Sequence, residues 1–161
     1  MIKQKPVILV DSREKLPWDW EPDDAFESIE HCKLDAGDYS IKGLEHIIAI
    51  ERKASVDELF INFTRDKDRI KAEFERLKDH KFKVMMLEFS REDAMNPAKY
   101  YINKRGINKQ HPKMPVAVVM EGLNRLLLEY GVHIIFGGSR AQAMTRGILL
   151  KAYELHGKGL L

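Results

Sequence analysis

The apolar run Ile47-Ile48-Ala49-Ile50 ends abruptly in Glu51-Arg52-Lys53, a carboxylate, a guanidinium and an ammonium in consecutive positions. In a strand, side chains alternate between two faces, so Glu51 and Lys53 share one face and Arg52 points to the other. Ionised groups at the end of a core strand are costly to desolvate unless they are paired or bind a metal. Gly37-Asp38-Tyr39 lies in the strand expected just before and can bring a second carboxylate beside the first. Hard oxygen donors of this kind suit magnesium, which keeps several of its own waters. Such a cation neutralises charge developing on a phosphodiester and acidifies a water, and a nearby ammonium can orient that water. Asp38, Glu51 and Lys53 supply the set, and Asp11, at the end of the first expected strand, offers a further carboxylate. Metal-assisted hydrolysis is the chemistry these residues suit.

The elements that must position them read as an α/β chain. Val7-Ile8-Leu9-Val10 is a short buried strand, followed by a loop with Trp18, Trp20 and two prolines. Residues 31–34 and 38–41 flank Ala36-Gly37 as a hairpin, and 47–53 follows, so three successive antiparallel strands are expected. Ser55 and Glu58 have capping-box spacing and open a helix with Val56, Leu59, Phe60 and Phe63 on its apolar side. A second helix is expected over 66–78, where Ile70, Phe74 and Leu77 fall at helical spacing. Residues 82–89 read as a buried strand ending near Glu88, and 90–115 as mostly loop. A helix over 116–130, stopped by Gly131, then a strand over 132–136 and a helix over 139–156 complete an order that implies a mixed sheet flanked by helices.

Composition bounds the rest. The 161 residues fit one domain spanning 1–161, with 44% hydrophobic and 32% charged residues, a globular balance. No apolar run approaches the ~20 residues of a membrane span, and no signal-peptide body follows the N-terminus, so a cytoplasmic location is expected. Cys32 is the only cysteine, which excludes an internal disulfide and a cysteine zinc cluster. The six histidines are scattered without ligand spacing. Net charge is only +2, but residues 96–114 carry Lys99, Lys104, Arg105, Lys109 and Lys113 without an acid, with Tyr100 and Tyr101 interleaved. A basic, aromatic segment of this kind suits contact with nucleic acid as well as it suits a solvated loop.

Taken together, Asp11-Ser12-Arg13-Glu14, Gly37-Asp38-Tyr39, Glu51-Arg52-Lys53 with Asp57 beyond it, and Leu87-Glu88 resemble the nuclease domain of XPF-type structure-specific endonucleases. That domain is a branch of the restriction-endonuclease-like PD-(D/E)XK superfamily. The resemblance covers residues 7–89, and the pattern after Val116 is compatible with the rest of the domain. It implies a restriction-endonuclease-like mixed sheet and a magnesium-dependent endonuclease, with manganese able to substitute. Asp38 and Glu51 would be metal ligands with Asp11 a further one, and Lys53 would place the attacking water. Arg52 would order the site or hold a phosphate, and Asp57 matches the acid that follows the Glu-Arg-Lys signature. Arg13 and Arg69 would contact DNA. Lys104 and Arg105, in the basic stretch, are DNA-contact candidates by their charge and not by the resemblance. Family members of this kind cut branched or flap DNA in repair and recombination, leaving a 5′-phosphate and a 3′-hydroxyl.

The larger members also carry tandem helix-hairpin-helix modules that bind DNA and help them dimerise. This sequence has none by Leu161, and so is more similar to compact stand-alone versions of phage and prophage genomes. A homodimer or a partner subunit stays open. Two other readings stay open too: a non-catalytic DNA-binding or partner-binding subunit of the same fold, and a Holliday-junction-resolvase-like nuclease. The complete acid, acid, acid-x-lysine set argues against the first, and Arg52 with Asp57 argues against the second. Each residue alone has an ordinary explanation. Charge pairs usually decorate surfaces, Gly-Asp makes turns, and Asp57 would stabilise a helix N-terminus in any case.

Overall fold

Alternation along the central strands divides the hydrophobic core into two layers, one on each face of a single sheet. The computed structural model describes residues 4–100 and 115–161. Those residues form strands β1 (Val7–Asp11), β2 (Ser28–Cys32), β3 (Tyr39–Ile41), β4 (Ile48–Lys53), β5 (Phe82–Leu87) and β6 (His133–Phe136). The helices are α1 (Val56–Thr64), α2 (Lys67–Leu77), α3 (Arg91–Met95), α4 (Val116–Tyr130) and α5 (Ala141–His156), the last preceded by a 3-10 turn at Gly138–Arg140. The strands lie in the order β2-β1-β3-β4-β5-β6. One core layer takes Ile8, Val10, Tyr39, Ile50, Val84 and Met86 against Leu149 and Ala152 of α5. The other takes Ala49, Met85 and Leu87 against Leu59 of α1, Ile70 and Phe74 of α2, and Val119 and Leu123 of α4. Helices therefore cover both faces of a mixed sheet, as the element order implied.

The expected hairpin does not form. β2 occupies residues 28–32 and pairs in parallel with β1, Val7 against Ser28 through Asp11 against Cys32, at the sheet edge. β1 lies between β2 and β3, pairing antiparallel with β3. The reason is local to residues 33–38. Leu34 donates its N–H to Asp11 Oδ2 at 2.9 Å and accepts from Arg13 at its carbonyl at 2.7 Å. Asp11 N donates to Asp38 O at 2.8 Å. The segment is thus fastened across the end of β1 rather than folded back on β2. β3 and β4 are antiparallel with Tyr39 opposite Ile50, while β4–β5 and β5–β6 are parallel. Residues 90–100 are also less of a loop than expected, because α3 is closed by a capping box between Ser90 and Asp93 and residues 97–100 are helical. Lys104 and Arg105 lie outside the described residues.

Local chemistry sets the entry and exit of the elements nearest β4. Ser55 accepts the Glu58 N–H as the N-cap of α1, while the Glu58 carboxylate reaches back to Ala54 N at 2.9 Å. Gly131, with φ +66, ends α4 and donates to the carbonyls of Leu126 and Leu127. Gly37 matters most, because it delivers Asp38 to the edge of β4. Its φ is +75, and an added Cβ would sit 3.2 Å from Ala49 Cβ and from Ile50 O. Gly37→Ala should destabilise the protein by more than the about 1–2 kcal/mol of a left-handed L-residue. Gly43→Ala, at φ +85 with nothing within 4 Å, carries the conformational cost alone. Denaturant unfolding of both variants isolates the crowding, and equal losses would show that Gly37 is not sterically required.

Candidate active site

β4 turns its last residues to opposite faces, and each face receives its own partners. Glu51 and Lys53 face α1 and α2, with Lys53 Nζ 2.5 Å from Glu51 Oε1 and their side chains only 4% and 8% exposed, Lys53 and Glu51 respectively. Two more carboxylates approach the same ammonium, Glu73 Oε1 from α2 at 3.9 Å and Glu58 Oε1 from α1 at 4.0 Å. Asp38 reaches this side from the turn before β3, its Oδ2 accepting the Arg52 N–H at 2.7 Å. The Gly37 turn is locked to the same strand, since Asp38 N donates to Ile50 O at 2.9 Å.

These residues open on a cleft of about 520 Å³. Asp11, Asp38, Glu51, Lys53, Glu58 and Glu73 line it with the basic side chains of Arg13, Lys15, Arg69 and Arg76. An acidic floor with a basic rim suits a cation below and a polyanion above. Arg69 is mostly exposed, held by Asp66 at 3.2 Å. Arg76 donates to Asp35 O at 3.1 Å, tying α2 to the loop that carries Asp38.

Asp11 differs from its neighbours. Its carboxylate accepts the Arg13 N–H and Nε at Oδ1, both at 2.8 Å, and the Arg13 guanidinium and Leu34 N–H at Oδ2. Burial pushes its pKa up, but the Arg13 hydrogen bonds and charge with the Leu34 amide outweigh that and hold it below the ordinary carboxylate range. Asp11 lines the cleft as an anchor for Arg13 and for the crossing loop. Asp38 is the reverse case. Burial, then the charge of Glu51, pushes its carboxyl well above the ordinary range. Burial likewise pushes Glu51 up to about 8 against the pull of Lys53, with Glu73 adding to the rise. Burial works against the Lys53 ammonium, yet Glu51 and then Glu73 hold its pKa above the usual lysine value. Crowded carboxylates and a firmly charged lysine therefore coexist on this floor.

Arg52 belongs to the opposite face. Its guanidinium lies 4.6 Å over the Trp18 ring, pairs with Glu88 at 3.0 Å, approaches Glu14 at 3.7 Å and bonds the Leu16 carbonyl. Trp18 Nε1 donates to Glu88 Oε1 at 2.5 Å, and Trp18 stacks on Tyr39 with ring centroids 5.1 Å apart. Glu88 thus closes the back of the strand end and does not enter the acidic floor. Asp57 sits in the first turn of α1 and outside the cleft lining, where its charge suits the helix N-terminus. Glu73 and Arg76 went unread in the sequence. Their signal was present: Arg69, Glu73 and Arg76 recur at helical spacing, each one residue before the buried Ile70, Phe74 and Leu77.

The chain is a mixed α/β sheet in which the end of β4 brings Glu51 and Lys53 beside Asp38 from the turn before β3, under a basic rim. XPF from Aeropyrum pernix has a similar structure, with a TM-score of 0.57 and 17% sequence identity over 92% of this chain and 65% of that chain. XPF from Aeropyrum pernix in complex with DNA gives a TM-score of 0.59 and 18% identity over 93% of this chain and 66% of that one. The chain has the XPF-type nuclease fold and spans just under two thirds of the length of those structures. No family model and no curated protein matches the sequence. Among the described residues no helix is long and apolar enough to cross a membrane.

The raised pKa of Asp38 has a stability consequence. A carboxyl whose folded pKa lies above its unfolded value stabilises the fold at low pH, and that contribution is lost as pH rises through the folded value. Asp38→Asn keeps an acceptor for the Arg52 N–H and removes the charge. In chelator at neutral pH it should be more stable than wild type by about 1 kcal/mol, the size of an ordinary relief of strain. The gap should shrink toward acid pH, below the ordinary value of 3.8. Thermal unfolding across pH measures it, and a gap that does not vary with pH would contradict the assignment.

Proposed function

We propose that this chain is a magnesium-dependent endodeoxyribonuclease that hydrolyses phosphodiester bonds in branched or flap DNA, in repair or recombination. The observation that carries the reading is the convergence of Asp38 and Glu51 beside Lys53 in one cleft rimmed by Arg13, Lys15, Arg69 and Arg76. The structural likeness to XPF, one example of which was solved in complex with DNA, supports DNA as the ligand.

The residues fit a divalent cation. Among the described residues no three His, Cys, Asp or Glu side chains are already gathered as a metal cage. Magnesium does not need one, because it is commonly bound by one or two carboxylates with waters and substrate phosphate oxygens. Asp38 and Glu51 are held at raised pKa by burial, and Asp38 further by Glu51, the state that a bound cation relieves. Asp11 is a weaker candidate ligand than expected, since four protein hydrogen bonds already converge on its carboxylate.

In this reading Asp38 and Glu51 hold Mg2+ or Mn2+. When bound, the ion supplies a Lewis acid that neutralises charge developing at the phosphate and lowers the pKa of a water. Lys53 donates a hydrogen bond to the attacking water and fixes its approach to phosphorus. Arg13 and Arg69 hold flanking phosphates at the rim, and Asp11 keeps Arg13 pointed there. Arg52 orders the strand end from behind, through Trp18 and Glu88. Lys104 and Arg105 are kept as further phosphate contacts on the strength of their charge.

Purified protein with linear, nicked, flap and four-way DNA tests the reading. Flap or branched DNA should be cut only with magnesium or manganese, and Asp38→Ala or Lys53→Ala should slow cutting by about a hundredfold or more. Undiminished cutting by either variant would remove these residues from the mechanism. Tight DNA binding without cutting by wild type would favour a non-catalytic subunit, and cutting confined to four-way DNA a resolvase-like enzyme.

A further inference from the structure

Lys53 has more carboxylate around it than one ammonium needs. Its side chain is 4% exposed and makes one close bond, to Glu51 at 2.5 Å, while Glu73 Oε1 and Glu58 Oε1 stand off at 3.9 and 4.0 Å. The two distant acids are not equivalent. Glu58 is 43% exposed, and its other oxygen accepts from Ala54 N as part of the α1 entry. Glu73 is 12% exposed, its carboxyl lies against that of Glu51, and among the described residues its buried Oε1 has no hydrogen-bond partner. A buried acceptor left unpaired is costly, so its position beside the ammonium calls for a use.

The proposed function supplies the occasion. If Glu51 turns an oxygen to a cation, Lys53 loses its one close partner among the described residues while still buried. An uncompensated buried charge is strongly unfavourable. A second carboxylate must receive it. The backbone of Glu73 is fixed, because Ile70, Phe74 and Leu77 bury the adjoining stripe of α2 in the core. Closing from 3.9 Å to hydrogen-bond distance takes about 1 Å, within the range of side-chain rotation alone.

We propose that Glu73 is a positioning residue: it takes over the Lys53 ammonium when Glu51 engages a divalent cation, and so aims Lys53 at the attacking water. No proton changes hands and no bond is made or broken; the ammonium exchanges one carboxylate partner for another. The inference rests on the metal-dependent reading above.

The test compares the full-length protein with Glu73→Gln and Glu73→Ala. Calorimetric titration with Mn2+ measures metal binding, and flap-DNA cutting gives kcat and KM. Amine-acetylating reagent with peptide mass spectrometry reads the protection of Lys53. Without metal, Lys53 should be protected in all three proteins by Glu51. With saturating Mn2+, wild type should keep Lys53 protected, while Glu73→Ala should expose it to labelling and lose about ten- to a hundredfold in kcat with little change in KM. Glu73→Gln retains an acceptor oxygen without the charge and should recover both only in part. If wild type binds Mn2+ and cuts DNA while Glu73→Ala shows unchanged labelling and kcat, the hand-over is wrong and the metal-dependent reading stands. If wild type neither binds Mn2+ nor cuts DNA, that reading falls and the hand-over falls with it.

Discussion

Lys53 and Glu51 are held out of water at the end of a core strand, 2.5 Å apart, and the local structure is arranged around keeping them there. Removing one member of such a pair typically costs about 3–5 kcal/mol, because the other is left as a bare buried charge. A pair of apolar residues would pack the same space at no electrostatic cost. That β4 ends in charge rather than in another Ile or Leu is therefore a local loss of stability, of the kind that sites for chemistry carry. The alternation of β4 sets the geometry. Ile48 and Ile50 pack toward α5 with Ala49 on the other face, and the same period then sends Glu51 and Lys53 toward α1 and α2.

The face behind the pair is its support. Arg52 is clamped between the Trp18 ring, Glu88, Glu14 and the Leu16 carbonyl, so the strand end cannot rotate to release its charged face to solvent. Trp18 in turn is fixed by stacking on Tyr39, whose hydroxyl accepts the Trp18 N–H at 2.9 Å. Burial pushes the Tyr39 hydroxyl up to about 12, so it remains neutral and available as that acceptor. The two tryptophans of the loop are thereby part of the core. The Asp11–Arg13 pair does the corresponding work on the other side, fastening residues 33–38 so that Asp38 arrives at β4.

Much of this was legible from period and spacing. The α/β class, β1, β4, β5, β6, the capped α1, the buried stripe of α2 and the Gly131 stop of α4 all follow from local patterns. What was missed depends on contacts between distant residues. The hairpin over 31–41 was a reasonable local reading of Ala36-Gly37, but β1 inserts between the two strands. No local signal reveals that Asp11 and Leu34 will bond across 23 positions. Glu73 was lost among the charges of α2: its place beside the buried stripe was readable, but not that this edge of the helix would face the end of β4. Arg52 is the opposite case. A guanidinium next to two charged site residues suggests either ordering of the site or a phosphate contact, and the packing of Trp18 and Glu88 against it favours the first.

The account turns on whether a cation sits between the two carboxylates that the Gly37 turn and the end of β4 bring together. A crystal soaked in manganese, with diffraction recorded to give the anomalous signal of that metal, addresses this directly. The account predicts an anomalous peak bridging Asp38 and Glu51, with Lys53 close by but outside the coordination shell. A crystal with no peak there, or with its peak elsewhere on the protein, would contradict it.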